Sequence, residues 1–106
     1  MHRFYPFSHE IHYLLRFYSN SLIFVIGRHT EDDIRINDIR VSRRHARLTL
    51  QADGRFELIN QTADRAEANP ITVNGALKER AVIGDGDRVS LNGVEFTLRV
   101  PVRAAA

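Results

Sequence analysis

The stretch Arg88-Val89-Ser90-Leu91-Asn92-Gly93-Val94-Glu95-Phe96-Thr97-Leu98-Arg99-Val100 decides the fold class. Val94, Phe96, Leu98 and Val100 alternate with Glu95, Thr97 and Arg99. A period of two sends one set of side chains to a core and the other to water, which is the signature of a half-buried strand. Val89 and Leu91 flank Ser90 in the same way. Asn92-Gly93 separates the two runs by two residues, and both tolerate the positive φ that a type I′ turn demands. The stretch therefore reads as a β-hairpin.

The same grammar extends upstream. Ala46, Leu48 and Leu50 alternate with Arg47 and Thr49; Phe56 and Leu58 alternate, less cleanly, with Arg55, Glu57 and Ile59. Leu22 to Ile26 is a continuous apolar run of β-favouring residues, as expected for a strand buried on both sides. Asp53-Gly54, Asn74-Gly75 and Gly84-Asp85-Gly86-Asp87 supply further turns, at the short spacing of a sandwich or barrel. Ile11, Leu14, Leu15 and Tyr18 match a helical template, yet Tyr13, Phe17 and Tyr18 favour strands. A strand ending at Asn20 is expected there, with a short helix as the competing reading. The chain shows no internal repeat.

Length and composition narrow the function. The 106 residues suit one domain, and 43% hydrophobic with 26% charged residues is an ordinary globular balance. Fifteen Lys and Arg against thirteen Asp and Glu leave a net charge of only +2, so bulk charge does not argue for nucleic acid. Arg40, Arg43, Arg44, His45 and Arg47 are nevertheless clustered, with Arg28 upstream, and such a cluster can hold an anion. There is no cysteine, which excludes disulfides and thiolate metal sites. Met1 to Ser8 lacks the apolar core of a signal peptide, and Leu22 to Ile26 is too short to span a bilayer. A cytoplasmic protein without membrane insertion is expected. Asn60-Gln61-Thr62 is formally a glycosylation sequon.

Enzymatic signatures are missing. There is no nucleophile elbow and no Gly-rich phosphate loop before a helix. His9 and His12 have no third metal ligand nearby. The acidic pairs Asp32/Asp33 and Asp85/Asp87 read as solvated turns. The expectation is a non-enzyme with no metal, no cofactor and no small-molecule substrate.

Gly27-Arg28 follows the apolar run directly; Val41-Ser42-Arg43-Arg44-His45-Ala46 precedes a strand; Asn69 and a Val73-Asn74-Gly75 turn come later, then Asp85-Gly86-Asp87 before an alternating strand. The order Gly-Arg, Ser-x-x-His, Asn-rich loop, Val-Asn-Gly resembles the forkhead-associated (FHA) domain over roughly Ile23 to Val100. The resemblance implies an all-β sandwich of two twisted, mainly antiparallel sheets with about eleven short strands. The expected domain covers residues 11–100, between an N-terminal extension (1–10) and a C-terminal tail (101–106). The resemblance also implies binding of a phosphothreonine-containing partner protein by loops at one end. The implied contacts are Arg28, Ser42, Arg43 and Asn69, on a scaffold of Gly27, His45, Asn74 and Gly75. The chemistry fits: a guanidinium matches phosphate oxygens bidentately, and a serine hydroxyl can donate to them.

The chain departs from the family pattern between Gln61 and Pro70, where about five residues are inserted. Ala68 stands where a hydroxyl residue is common, with Thr62 as a candidate substitute. An FHA-like assembly module that has lost phosphate binding is therefore the alternative. Nucleic acid is disfavoured, because the arginine cluster holds no aromatic stacking platform.

Overall fold

The Asn92-Gly93 turn forms with φ of 50° and 89°, and it sets Leu91 opposite Val94 and Val89 opposite Phe96. The hairpin expected from the sequence is thus present in the expected register. This computed structural model describes residues 23–99 and the backbone of residues 3–4 and 10–12. Its strands are β1 (Arg3–Phe4), β2 (Glu10–His12), β3 (Ile23–Gly27), β4 (Ile34–Arg35), β5 (Ala46–Leu50), β6 (Phe56–Asn60), β7 (Ile71–Val73), β8 (Ala76–Leu77), β9 (Arg80–Ile83), β10 (Arg88–Leu91) and β11 (Val94–Arg99). No helix occurs among the described residues.

The strands form two sheets, ordered β1-β4-β3-β5-β6-β9 and β2-β11-β10-β7-β8. Pairing is antiparallel except for β1 with β4, β3 with β4 and β2 with β11. Phe24, Ile26, Ala46, Leu48, Phe56, Leu58 and Ile83 of the first sheet face Ile71, Val89, Leu91, Phe96 and Leu98 of the second, and all are buried. Phe24 and Phe56 meet edge to face, with centroids 6.3 Å apart. A fully buried side chain such as Phe96 would cost about 3–5 kcal/mol to truncate to alanine. Two twisted layers around one core therefore account for the alternation in β5, β6, β10 and β11.

Two expectations need correction or restriction. β3 is not buried on both sides: Phe24 and Ile26 face the core, whereas Ile23 is 46% exposed and Val25 only half-buried. β-branched residues are tolerated on that outer face because they suit a pleated, half-buried surface. Of the Ile11–Tyr18 segment, only Ile11 and His12 are described, both in β2; the rest lies outside the described residues. Arg3–Phe4, in the stretch expected to precede the domain, pairs with β4.

The topology sorts the loops. The loops carrying 28–33, 36–45, 61–70, 78–79 and 92–93 leave strands at one end. Those carrying 51–55, 74–75 and 84–87 close the other.

Candidate functional site

At the first end the loops are built around His45, which is fully buried. Its Nδ1 accepts the Ser42 backbone N–H at 3.1 Å. A ring nitrogen that accepts there carries no proton, so Nε2 must hold the single imidazole hydrogen. Nε2 lies 3.1 Å from the Asn69 carbonyl oxygen, to which it donates. One neutral ring therefore fixes two loops that are 24 residues apart in sequence. Burial favours this form by holding the imidazole below the ordinary histidine value, and the nearby Arg65 charge pushes the same way.

The Asn69 loop is held just as firmly. Asn60 Nδ2 donates to the Asn69 carbonyl at 2.9 Å, and Asn60 Oδ1 accepts the Thr62 N–H at 2.8 Å. The Thr62 hydroxyl accepts the Asn69 N–H at 2.7 Å and donates to Asn60 Oδ1 at 2.7 Å. Thr62 is fully buried and Asn60 nearly so. Thr62 is thus spent on the frame and does not replace the missing hydroxyl at Ala68. Buried polar atoms in a fully paired network resist rearrangement, because each lost bond leaves a desolvated group behind.

Gly27 has a steric reason to be glycine. A Cβ there would lie 2.5 Å from Arg44 N and 2.7 Å from Ser42 O, and would collide with the Asp32 carboxylate. That carboxylate corrects another reading. Asp32 was expected in a solvated turn; it is 1% exposed. Its Oδ2 accepts the N–H groups of His29 and Arg44, both at 3.0 Å. It thereby stabilises Arg44, which adopts a φ of 51°, a region that costs non-glycine residues energy. Asp33 is likewise no free turn residue, since it accepts the Val25 N–H at 2.8 Å.

On this frame sit the groups expected to meet a ligand. The Arg28 backbone N–H donates to Ser42 O at 3.1 Å, and its Nε donates to Val41 O at 2.9 Å. Its terminal Nη nitrogens have no partner among the described residues. Ser42 Oγ accepts from Asn69 Nδ2 at 2.7 Å, so its own proton remains available. The second Asn69 Nδ2 hydrogen goes to Arg40 O at 3.1 Å, which leaves the Asn69 Oδ1 as an acceptor. Arg43 is exposed, and with Arg28, His29, Thr30, Arg35 and Asn37 it lines a shallow depression of about 260 Å³. Asn92 Nδ2 also donates to Arg40 O, at 3.1 Å, and so braces this rim from the β10–β11 hairpin.

Gly27, Arg28, Ser42, Arg43, His45 and Asn69 are therefore brought together. Asn74 and Gly75 are not. Asn74 Nδ2 donates to Asp87 Oδ1 at 3.0 Å, and Asn74 Oδ1 accepts the Arg88 N–H at 2.9 Å; this turn belongs to the opposite end. The frame-holding roles of Asn60, Thr62 and Asp32 are not among those the sequence suggests. The Asn60-x-Thr62 spacing could have signalled an Asx turn; nothing in the sequence marked Asp32 as buried. Among the described residues, no cluster of His, Asp or Glu could hold a metal ion, and no helix is long and apolar enough to cross a membrane.

Comparison with known proteins bears on this geometry. A family model described as the FHA domain matches residues 24–92. The glycogen accumulation regulator GarA of Mycobacterium tuberculosis is 34% identical over 76 residues, which is 72% of this chain and 44% of that protein. An oxoglutarate dehydrogenase inhibitor of Corynebacterium diphtheriae is 40% identical over 65 residues, or 61% of this chain and 42% of the relative. The chain thus spans less than half the length of these relatives. Among solved structures, the FhaA FHA domain complexed with the intracellular domain of Rv3910 superposes with a TM-score of 0.61 at 27% identity, covering 73% of this chain and 79% of the other. A structure from a study of phosphothreonine-dependent FHA domain interactions gives 0.61 at 26% identity, covering 73% and 75%.

Proposed function

The chain belongs to the FHA family, and on that premise we propose that it binds a phosphothreonine-containing segment of a partner protein through the Arg28–Ser42–Asn69 end of the sandwich. The observation that carries the reading is the state of three donors and acceptors. Arg28 is anchored through Nε and keeps its Nη groups open. Ser42 accepts from Asn69 and keeps its proton. Asn69 has both amide hydrogens committed and can only accept, as a peptide N–H requires. A phosphate carrying about −1.5 to −2 charge near neutral pH would meet donors already in place. Two or three charge-assisted hydrogen bonds of about 1.5–3 kcal/mol each supply much of the roughly 8 kcal/mol that micromolar binding needs.

The relatives named as a regulator and an inhibitor, and a neighbour solved in phosphothreonine-dependent work, support a recognition module with no catalytic step. A soluble cytoplasmic setting fits that role, since the modification is added by kinases. The insertion between Gln61 and Pro70 is compatible with binding, because Thr62 and Asn60 use it to hold Asn69. The test is a calorimetric titration with a phosphothreonine peptide library and its unphosphorylated twin. The phosphorylated pool should bind at micromolar concentration and the twin far more weakly. Equal affinities would refute the proposal.

A further inference from the structure

Two sets of arginines among the described residues differ in their pairing; Arg47 and Arg88, on β5 and β10, belong to neither set. Arg40, Arg55 and Arg80 each pair with a carboxylate, Asp38, Asp53 and Glu57, at 2.8, 3.1 and 3.6 Å. Arg28, Arg43, Arg44 and Arg65 pair with none among the described residues. All four belong to the loops around His45. Arg65 comes from the inserted loop, and it is not loosely placed. Its N–H donates to the carbonyl of buried Thr62 at 3.0 Å. Its Nη2 reaches the Arg43 carbonyl oxygen at 3.5 Å, so the insertion folds back onto the Ser42 loop. The acidic residues of the same insertion do not neutralise it. Asp64 lines a separate depression with Glu79 and Arg80, and Glu67 forms no ion pair among the described residues.

Four unpaired cations exceed what one phosphate offsets, since a phosphothreonine brings a charge of only about −1.5 to −2. Like charges gathered on one rim repel, and such a rim gains most from a ligand that carries the balancing charge. The other flank differs in kind: Asp38 and Arg40 neutralise each other there, and Ile39 stands 88% exposed between them. Resting on the reading above, we infer that Arg65 and Arg43 form a second anion subsite beside the phosphothreonine pocket, so that the partner segment carries a further negative group close to its phosphothreonine. That group is a carboxylate side chain or a second phosphate; both present oxygens that a guanidinium binds.

The experiment is a charge scan. A phosphothreonine peptide with neutral flanks is compared, at low and physiological salt, with variants bearing one Glu, or one phosphoserine, at each of three positions on either side. At one or two adjacent positions, affinity should rise about fivefold, and the gain should shrink with salt. Arg65→Ala should reduce that gain to less than about twofold and leave the preference for phosphorylated over unphosphorylated peptide intact. Arg65→Glu should invert it, so that a Lys at the same position binds better than Glu. A gain for phosphoserine alone would identify a second phosphate as the group, and a gain for Glu a carboxylate. A flat scan with phosphothreonine discrimination intact would overturn the subsite and leave the phosphothreonine reading standing. Loss of discrimination throughout would overturn that reading itself. A random DNA duplex that displaces the peptide in proportion to Arg65 and Arg43 would overturn the subsite in favour of a nucleic-acid face.

Discussion

The two ends of the sandwich are made of the same residue types and differ in where the polar atoms lie. At the far end, Asn74 joins Asp87 and Arg88, Asp87 caps the Gly84 N–H at 2.7 Å, and Asp53 pairs with Arg55. These groups are exposed or partly exposed and satisfy one another. At the His45 end, the hydrogen-bonded groups of the frame are buried: His45, Thr62, Asn60 and Asp32 are all at most 6% exposed. The open valences are on the rim, at Arg28, Ser42 and Asn69. The lesson is that a turn needs only local closure, whereas a binding end needs a rigid interior that leaves chosen donors unspent. Desolvated networks provide rigidity that exposed ones cannot, because water replaces a broken surface bond at little cost.

That contrast can be broken or sharpened by substitution. The largest effect is expected at Arg28. Arg28→Ala should weaken phosphopeptide binding by about a hundredfold or more, the loss of two charge-assisted bonds, while the melting temperature stays close to that of the wild type. Next comes His45→Ala. It removes the bridge between the Ser42 and Asn69 loops and leaves a cavity, so about 3 kcal/mol of stability should be lost in denaturant unfolding. Affinity should fall as well, although His45 faces no ligand. A mutant that is destabilised yet binds normally at low temperature would contradict the role given to the frame.

A smaller effect follows from pH. The folded protein holds His45 neutral, below the value of 6.5 it has when free of the fold. The unfolded chain therefore takes up this proton first, and the ligand-free protein should lose stability as pH falls through about 6.5, until the folded ring itself titrates. The loss reaches binding too, because a protonated Nδ1 can no longer accept the Ser42 N–H. Melting curves without peptide are the proper measurement, since the phosphate changes charge near pH 6 as well. A His45→Gln variant should flatten the dependence between pH 6.5 and 5. The smallest effect belongs to the far end. Asn74→Gly, which removes the side-chain bonds and still accepts the φ of 50°, should cost about 1 kcal/mol and leave peptide affinity unchanged; a binding defect there would erase the distinction between the ends.

Much of this organisation was legible in the sequence. The period of two in Val94–Leu98 and the φ demands of Asn92-Gly93 are local rules, and local rules placed β10 and β11. The family resemblance carried by Gly27-Arg28 and Ser42-x-x-His45 implied that these residues share one end of the molecule, although their spacing alone did not say so. What stayed hidden depends on packing between distant segments. An acidic pair is usually solvated, and only the third dimension brings Asp32 under the Arg44 N–H. Gly27 looks like a turn residue until the Ser42 loop is seen to pass where its Cβ would be. Ile23 and Val25 read as core because hydrophobicity alone cannot tell which face of a sheet lacks a cover. Asn74 shares its turn chemistry with the binding loops, and composition does not say at which end of β7 a turn will fall.

Amide chemical shifts of the intact chain, followed while a phosphothreonine peptide is added, probe the difference between the ends most directly. The backbone signals of Arg28, Ser42, Arg44 and Asn69 and the His45 ring should move in a saturable way, and those of Asn74, Gly75 and Gly84 should stay in place. Shifts centred on Asn74 and Gly84, or spread evenly over both ends, would contradict the assignment of binding to the His45 end.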